Sequence, residues 1–197
     1  MDAYTQQKKI NNINNSVHNL DIMNTITVDS EVTRLNIFNS VSQLLAQLQL
    51  PIVSQDVSRP WGGFFVIDEV YSTQFIQHFF ETLKPEDVLI GNKLSPKILV
   101  VAPNTRLSWQ YHHRRAELWK LIAGNASIVT SQTNEEQEPA ELILNQVVTL
   151  AQGERHRLIG STNTYGIIAE IWQHTDAANP SNEDDIVRLQ DDYGRAV

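Results

Sequence analysis

The stretch that decides the fold is Ser108-Trp109-Gln110-Tyr111-His112-His113-Arg114-Arg115-Ala116-Glu117-Leu118-Trp119. In an extended strand successive side chains alternate between faces, so Gln110 and His112 point the same way. A tight connection through Arg114 and Arg115 returns the chain antiparallel. Glu117 then faces the same pair from the neighbouring strand, and Gly124 closes that strand. The spacing Gln-x-His-x4-Glu-x6-Gly therefore gathers an amide oxygen, an imidazole and a carboxylate at one place. His113 falls on the opposite pleat and is expected to be an ordinary surface or core histidine.

This pattern resembles the first motif of the cupin superfamily, with Gln110 where that motif has its first histidine. The second cupin motif reads Gly-x5-Pro-x-Gly-x2-His-x3-Asn. Asn145, Ala151, Gly153, His156 and Gly160 hold those places at the same spacing, with the glycine and the histidine retained. The resemblance implies that Gln110, His112, Glu117 and His156 bind one divalent metal ion. Two imidazoles, one carboxylate and one amide oxygen make a borderline site of one negative charge, for which zinc is the expected ion, with positions left for water or substrate oxygens. Two histidines and a carboxylate also hold Fe(II) for oxygen chemistry. Gln110 as a fourth ligand and an arginine-rich C-terminus weigh against that alternative.

Around this stretch the chain reads as short β-runs: Ile98 to Val101, Leu107 to His112, Leu118 to Ile122, Ala126 to Thr130, Glu141 to Leu144, Val147 to Leu150 and Ile167 to Trp172. Gly, Asn and Pro punctuate them, as in an all-β jelly-roll barrel. Upstream, Phe64 to Val70 reads as a strand and Thr73 to Leu83 as a short amphipathic helix. Leu35, Phe38, Val41, Leu45 and Leu48 recur at three- and four-residue steps, predicting a helix over 34–50 whose stripe packs on the barrel or across a homodimer. Residues 1–30 are polar and Asn-rich, an arm of low intrinsic structure. The expected division is an arm and helix over 1–58 and a cupin domain over 59–197. Asn182 to Val197 is expected to be a helix or lid.

The 197 residues include no cysteine, which excludes disulfides, thiolate metal sites and cysteine nucleophiles. A net charge of −8 argues against nucleic acid, whose phosphates require a basic face. No apolar run is long enough to span a membrane, and a cytoplasmic location is the expectation. Arginines grouped in an acidic chain suit a small anionic ligand.

Several stretches further resemble the type II phosphomannose isomerases, cupins that often form the C-terminal part of bifunctional mannose-1-phosphate guanylyltransferases. These are Arg59-Pro60-Trp61-Gly62, Lys97 at the head of a strand, Leu107-Ser108-x-Gln110-x-His112-His113-Arg114-x-Ala116-Glu117-x-Trp119, His156-Arg157-Leu158 and Glu170-Ile171. Glu183-Asp184-Asp185-Ile186-Val187-Arg188 and Asp192-Tyr193-Gly194-Arg195 complete the set. The Gly-rich nucleotidyltransferase signature is missing, so nucleotide-sugar synthesis is not expected. The resemblance implies aldose–ketose isomerisation of a phosphosugar, mannose 6-phosphate to fructose 6-phosphate. It makes Lys97, Glu170 and Arg195 the catalytic candidates and Arg188, Arg195 and Arg157 the substrate-binding candidates. Ion pairing is the competing role for each, with Asp184, Asp185, Asp191 and Asp192 as partners for Arg188 and Arg195. A non-catalytic sugar-phosphate-binding cupin is the alternative function.

Overall fold

The computed structural model describes Ile26, Val28 and residues 31–91 and 93–196. Apart from Ile26 and Val28, the expectation for residues 1–30 lies outside them. Helix α1 (Arg34–Gln47) starts where the Thr33 side chain accepts a hydrogen bond from the Asn36 amide. It stops short of Pro51, with Gln49 in a left-handed conformation. Its inward stripe is Ile37, Phe38, Val41, Leu44, Leu45 and Leu48. The expected stripe is thus corrected at one position: Leu35 is 69% exposed. At 3.6 residues per turn, Leu35 lies about 120° from the centre of the buried stripe, while Ile37 and Leu44 fall inside it.

The helix seals one end of the main core rather than standing apart from it. Its stripe clusters with Phe65, Ile67, Phe75, Phe79, Ile98, Val100, Leu118 and Ile167. Strands β1 (Ile52–Asp56) and β2 (Gly62–Ile67) pair antiparallel, so the sheet begins upstream of residue 59. Gly62 adopts φ +135° where the chain passes over Val100, whose carbonyl oxygen would lie 1.8 Å from a Cβ. Strand β2 ends at Ile67, shorter than expected, because Asp68 caps a 3-10 turn over Glu69–Tyr71. Helix α2 (Ser72–Phe79) buries Phe75, Ile76 and Phe79, and a single turn α3 (Pro85–Val88) follows.

The remaining strands are β3 (Lys97–Val101), β4 (Trp109–His112), β5 (Arg115–Gly124), β6 (Ala126–Ser131), β7 (Ala140–Glu141), β8 (Val147–Leu150), β9 (Arg155–Gly160), β10 (Gly166–His174) and β11 (Ile186–Gln190). They form a six-stranded sheet in the order β1-β2-β3-β10-β5-β8 and a five-stranded sheet in the order β11-β4-β9-β6-β7. Every pairing is antiparallel. This is the all-β cupin jelly roll, with a helical N-terminal portion. The C-terminal stretch departs from expectation: after one 3-10 turn (Glu183–Asp185) it forms β11, an edge strand on β4. Ile186 and Val187 are β-branched and half-buried there, which favours extended backbone over helix. Among the described residues, no helix is long and apolar enough to cross a membrane.

Candidate metal centre

His112 closes β4 and His156 lies on β9; Gln110 of β4 is the direct cross-strand partner of His156. Glu117 arrives from β5, in the other sheet. The intervening turn changes sheets, and Asp185 fixes it by accepting hydrogen bonds from the backbone amides of His113 and Arg114. His112, Glu117 and His156 are all buried, and their ligand atoms lie within 4.8 Å of one another, so the group can hold a metal ion. Gln110 faces the same cavity, its Oε1 accepting from Ser108 Oγ at 2.6 Å.

The hydrogen bonding fits a cation at this point. His156 Nδ1 is 3.0 Å from the Glu154 carbonyl, which can only accept, so Nδ1 carries a proton, and in the neutral ring Nε2 holds the lone pair. That lone pair lies 3.4 Å from Glu117 Oε2, buried and without a regular hydrogen bond. In that neutral form two acceptors face each other in a desolvated place, and a metal ion would supply the positive charge between them. His112 Nε2 stands 3.1 Å from Glu117 Oε1, and burial holds this imidazole below the ordinary histidine range, which favours the neutral, ligating form. Burial alone would raise the Glu117 carboxyl, but His112 when protonated and the permanently charged Arg115 guanidinium overcome it and hold Glu117 well below the usual carboxylate range. Arg115, itself buried, donates to Glu117 Oε1 at 2.8 Å and rests 3.5 Å from the Trp172 ring centroid.

A cavity of about 440 Å³ opens beside this group, and most of the residues named from sequence line it: Lys97, Gln110, Glu117, Glu170, Arg188 and Arg195. Lys97 and Glu170 are cross-strand partners on β3 and β10. The Lys97 ammonium donates to Glu183 Oε1 at 2.6 Å and sits 3.5 Å from the Trp172 ring centroid. Burial, and then the nearby Glu117 carboxylate, push Glu170 up to about 7. Trp119 Nε1 lies 3.1 Å from Glu170 Oε1 and 3.2 Å from Glu117 Oε2, tying the two carboxyls together. Arg195 is gripped by Asp191, through its amide at 2.9 Å and its Nε at 2.8 Å. Arg188 has no carboxylate within 4.0 Å among the described residues, and its buried Nε is unpartnered. Arg157 stands elsewhere: its buried guanidinium donates to Glu136 at 2.8 Å and to the Gln190 carbonyl, and it is not part of the cavity wall.

Other wall residues carry chemistry that sequence reasoning did not assign: Ser54, Arg59, Trp61, Arg115, Trp172 and Glu183. Arg115 had a signal, since it lies two residues before Glu117 and shares its strand face. Arg59 and Trp61 stood in a recognised stretch that local reading treats only as a break. Trp172 and Glu183 reach the cavity through tertiary packing alone.

The chain matches the family described as mannose-6-phosphate isomerase C-terminal over residues 84–191. It is 31% identical over 142 residues to the alginate biosynthesis protein AlgA of Pseudomonas aeruginosa, covering 72% of this chain and 23% of that protein. With the xanthan biosynthesis protein XanB of Xanthomonas campestris pv. campestris it shares 30% identity over 139 residues, 71% of this chain and 23% of the relative. A mannose-1-phosphate guanylyltransferase of Salmonella montevideo is 28% identical over 169 residues, 83% of this chain and 30% of the relative. The chain therefore spans about a quarter to a third of these relatives. Among solved structures, the capsular polysaccharide assembling protein CapF of Staphylococcus aureus superposes with a TM-score of 0.48 at 15% identity, over 71% of this chain and 34% of that one. By its sequence match, the chain belongs to the mannose-6-phosphate isomerase C-terminal family.

Proposed function

We propose that the protein is a metal-dependent aldose–ketose isomerase of a sugar phosphate, with mannose 6-phosphate and fructose 6-phosphate as the pair. The observation that carries this reading is a cavity beside the His–Glu–His group, reached by that group through Glu117 and walled also by a buried carboxyl with a pKa of about 7 and several arginines. A divalent ion, zinc by expectation, held by Gln110, His112, Glu117 and His156 would act as a Lewis acid on the substrate oxygens.

The protein's own groups do the rest. Glu170 Oε1 is tied to Trp119, which leaves Oε2 to take the proton from C2 and return it at C1. A carboxyl raised toward neutrality suits both directions, because near neutral pH it can both take and return a proton. Lys97, directly across the strand pair from Glu170, offers a proton to a sugar oxygen while Glu183 and the Trp172 ring hold it. Arg188, the cavity arginine with no carboxylate within 4.0 Å among the described residues, is the anchor for the phosphate, and Arg195 supports it from its clamp on Asp191. The aromatic walls Trp61, Phe64 and Trp172 exclude water from the reacting carbons.

The test is a coupled assay of mannose 6-phosphate to fructose 6-phosphate on the metal-loaded full chain, alongside hexose, pentose and heptose phosphates. Turnover abolished by Glu170→Gln, with metal content intact, supports the reading. Phosphosugar binding with no isomerisation of any member of the panel would replace it with a non-catalytic binding protein.

A further inference from the structure

The segment that matches the family begins at residue 84, yet one wall of the cavity comes from before it. Ser54 of β1, Arg59 and Trp61 of the connection, and Phe64 and Val66 of β2 all line it. We propose that Arg59 is an anion-binding residue of this cavity, the third arm of a guanidinium cradle with Arg188 and Arg195, and that Arg34 of α1 is its positioning residue. The inference deepens the proposed function and rests on it for the identity of the sugar. The chemistry it concerns is a phosphomonoester dianion.

The backbone around Arg59 is held from two sides. Arg34 donates from Nε to the Val57 carbonyl at 2.9 Å and from Nη2 to the Val57 and Arg59 carbonyls at 2.6 and 2.8 Å, and it also bonds the Gly62 carbonyl. One guanidinium thus fixes three carbonyls of a connection that has no other regular structure. From the other side, Asp56 Oδ1 accepts from the amide and hydroxyl of Ser58 at 2.9 and 2.8 Å, and its Oδ2 lies 2.8 Å from Arg59 Nε. Asp56 pairs with Arg59 by charge alone, since Nε is buried without a hydrogen bond, and the two terminal nitrogens make no hydrogen bond among the described residues. The guanidinium lies 5.8 Å from the Phe64 ring centroid and its side chain is 41% exposed, so the free nitrogens are accessible.

Charge in this part of the cavity is unbalanced. Asp56 accompanies Arg59 and Asp191 accompanies Arg195, but among the described residues no carboxylate lies within 4.0 Å of Arg188. Arg188 is destabilised as a cation by burial and by the fields of Arg195 and Arg59, with Asp191 and Glu183 opposing from a distance. Glu183, the nearby carboxylate on the wall, is engaged by Lys97. Three guanidinium groups with two carboxylates attract an anion, and planar forks match phosphate oxygens in pairs. Helix α1, outside the matched segment, would then serve the site by holding the loop that carries its third arginine.

The experiment is calorimetric titration of the metal-loaded full chain with inorganic phosphate, mannose 6-phosphate and neutral mannose, with metal content and Tm recorded for each variant. Arg59→Ala is expected to weaken phosphate binding about tenfold or more, the range for a lost charge-assisted hydrogen bond, with mannose binding unmoved. Arg59→Lys should fall between, keeping charge without the fork. Arg34→Ala should weaken phosphate binding in the wild-type background and add nothing in the Arg59→Ala background, which a general stabilising role would not reproduce. If truncation unfolds the chain, Arg59→Gln, which keeps much of the stem against Phe64, carries the test. Unchanged phosphate affinity in the Arg59 variants, additive losses in the double variant, or no phosphate binding by the wild type would each overturn the proposal. Phosphate binding that depends on Arg59, without turnover, would remove the isomerase and leave the cradle standing.

Discussion

The two ends of the cavity are built in different ways. The His112–Glu117–His156 group stands on β4, β5 and β9, where hydrogen-bonded strands fix the backbone on both sides of each ligand, and every ligand is buried. The arginine end is assembled from a loop at residue 59, an edge strand at residue 188 and the chain near residue 195. Its order comes from side chains bonding to backbone and carboxylates, as Arg34 and Asp191 do. Sheet interiors hold atoms to fixed positions, while loop and edge segments open locally at little free-energy cost. The difference teaches that the group able to hold a metal is fixed by the ladders, while the arginines proposed to meet an anion stand on the adjustable rim.

Substitutions at the two ends should therefore fail differently. The largest effect is expected for Glu117→Ala, which leaves Arg115 as an uncompensated buried charge beside two histidines. The cost is about 3–5 kcal/mol, with loss of bound metal, read by denaturant titration and elemental analysis. A variant that kept both stability and metal would break the picture of a rigid, interdependent end. Glu170→Gln comes next: kcat should fall by about 10²–10⁴-fold with metal content unchanged, since one general acid–base group is removed without altering shape. At the rim, Arg188→Ala should raise KM by about 10–100-fold and leave metal content and Tm near wild type, checked by steady-state kinetics. Equal losses in kcat would show that the rim is as demanding as the ladder end.

The smallest effect concerns pH and the loop that joins the two ends. His174 Nδ1 accepts from the Ser181 amide at 3.0 Å, and its Nε2 is 3.2 Å from Ser95 Oγ. Burial holds this imidazole below its ordinary value of 6.5, with Glu69 opposing and Lys93, Arg115 and Arg114 reinforcing the shift. A depressed histidine contributes stability above the unfolded value, lost as pH falls below 6.5 because the unfolded chain binds the proton first. His174→Asn, which keeps a side-chain acceptor, should flatten the fall of Tm between pH 7 and pH 5 by a few degrees at most, about 1 kcal/mol or less. An acid profile identical to wild type would assign that sensitivity to other groups.

What the sequence made legible follows the same division. Period-two spacing and a short turn suffice to place Gln110, His112 and Glu117 on facing strands, because strand geometry is local and stiff. The contribution of Arg59 was hidden, because it depends on a helix twenty-five residues earlier gripping its loop. Arg157 shows the converse: it neighbours His156 in sequence, and alternation sends it to the other face, where Glu136 takes it. β11 was misread because charged residues surround a short β-branched run whose extended form is stabilised only by pairing with β4. Leu35 misled because a stripe is judged from spacing, whereas its edge is decided by the width of the surface it meets.

Three of the four tryptophans, Trp61, Trp119 and Trp172, form part of the cavity wall, and the indole nitrogens of Trp61 and Trp172 are buried without a hydrogen-bond partner. The fourth, Trp109, donates to the Asn134 carbonyl, away from the wall. Three of the four indole chromophores of this protein therefore report on one place. A metal ion or anion entering the cavity should alter the quantum yield and wavelength of their emission, against a steady background from Trp109. The molecule carries its own indicator, and occupancy can be followed in real time without a label.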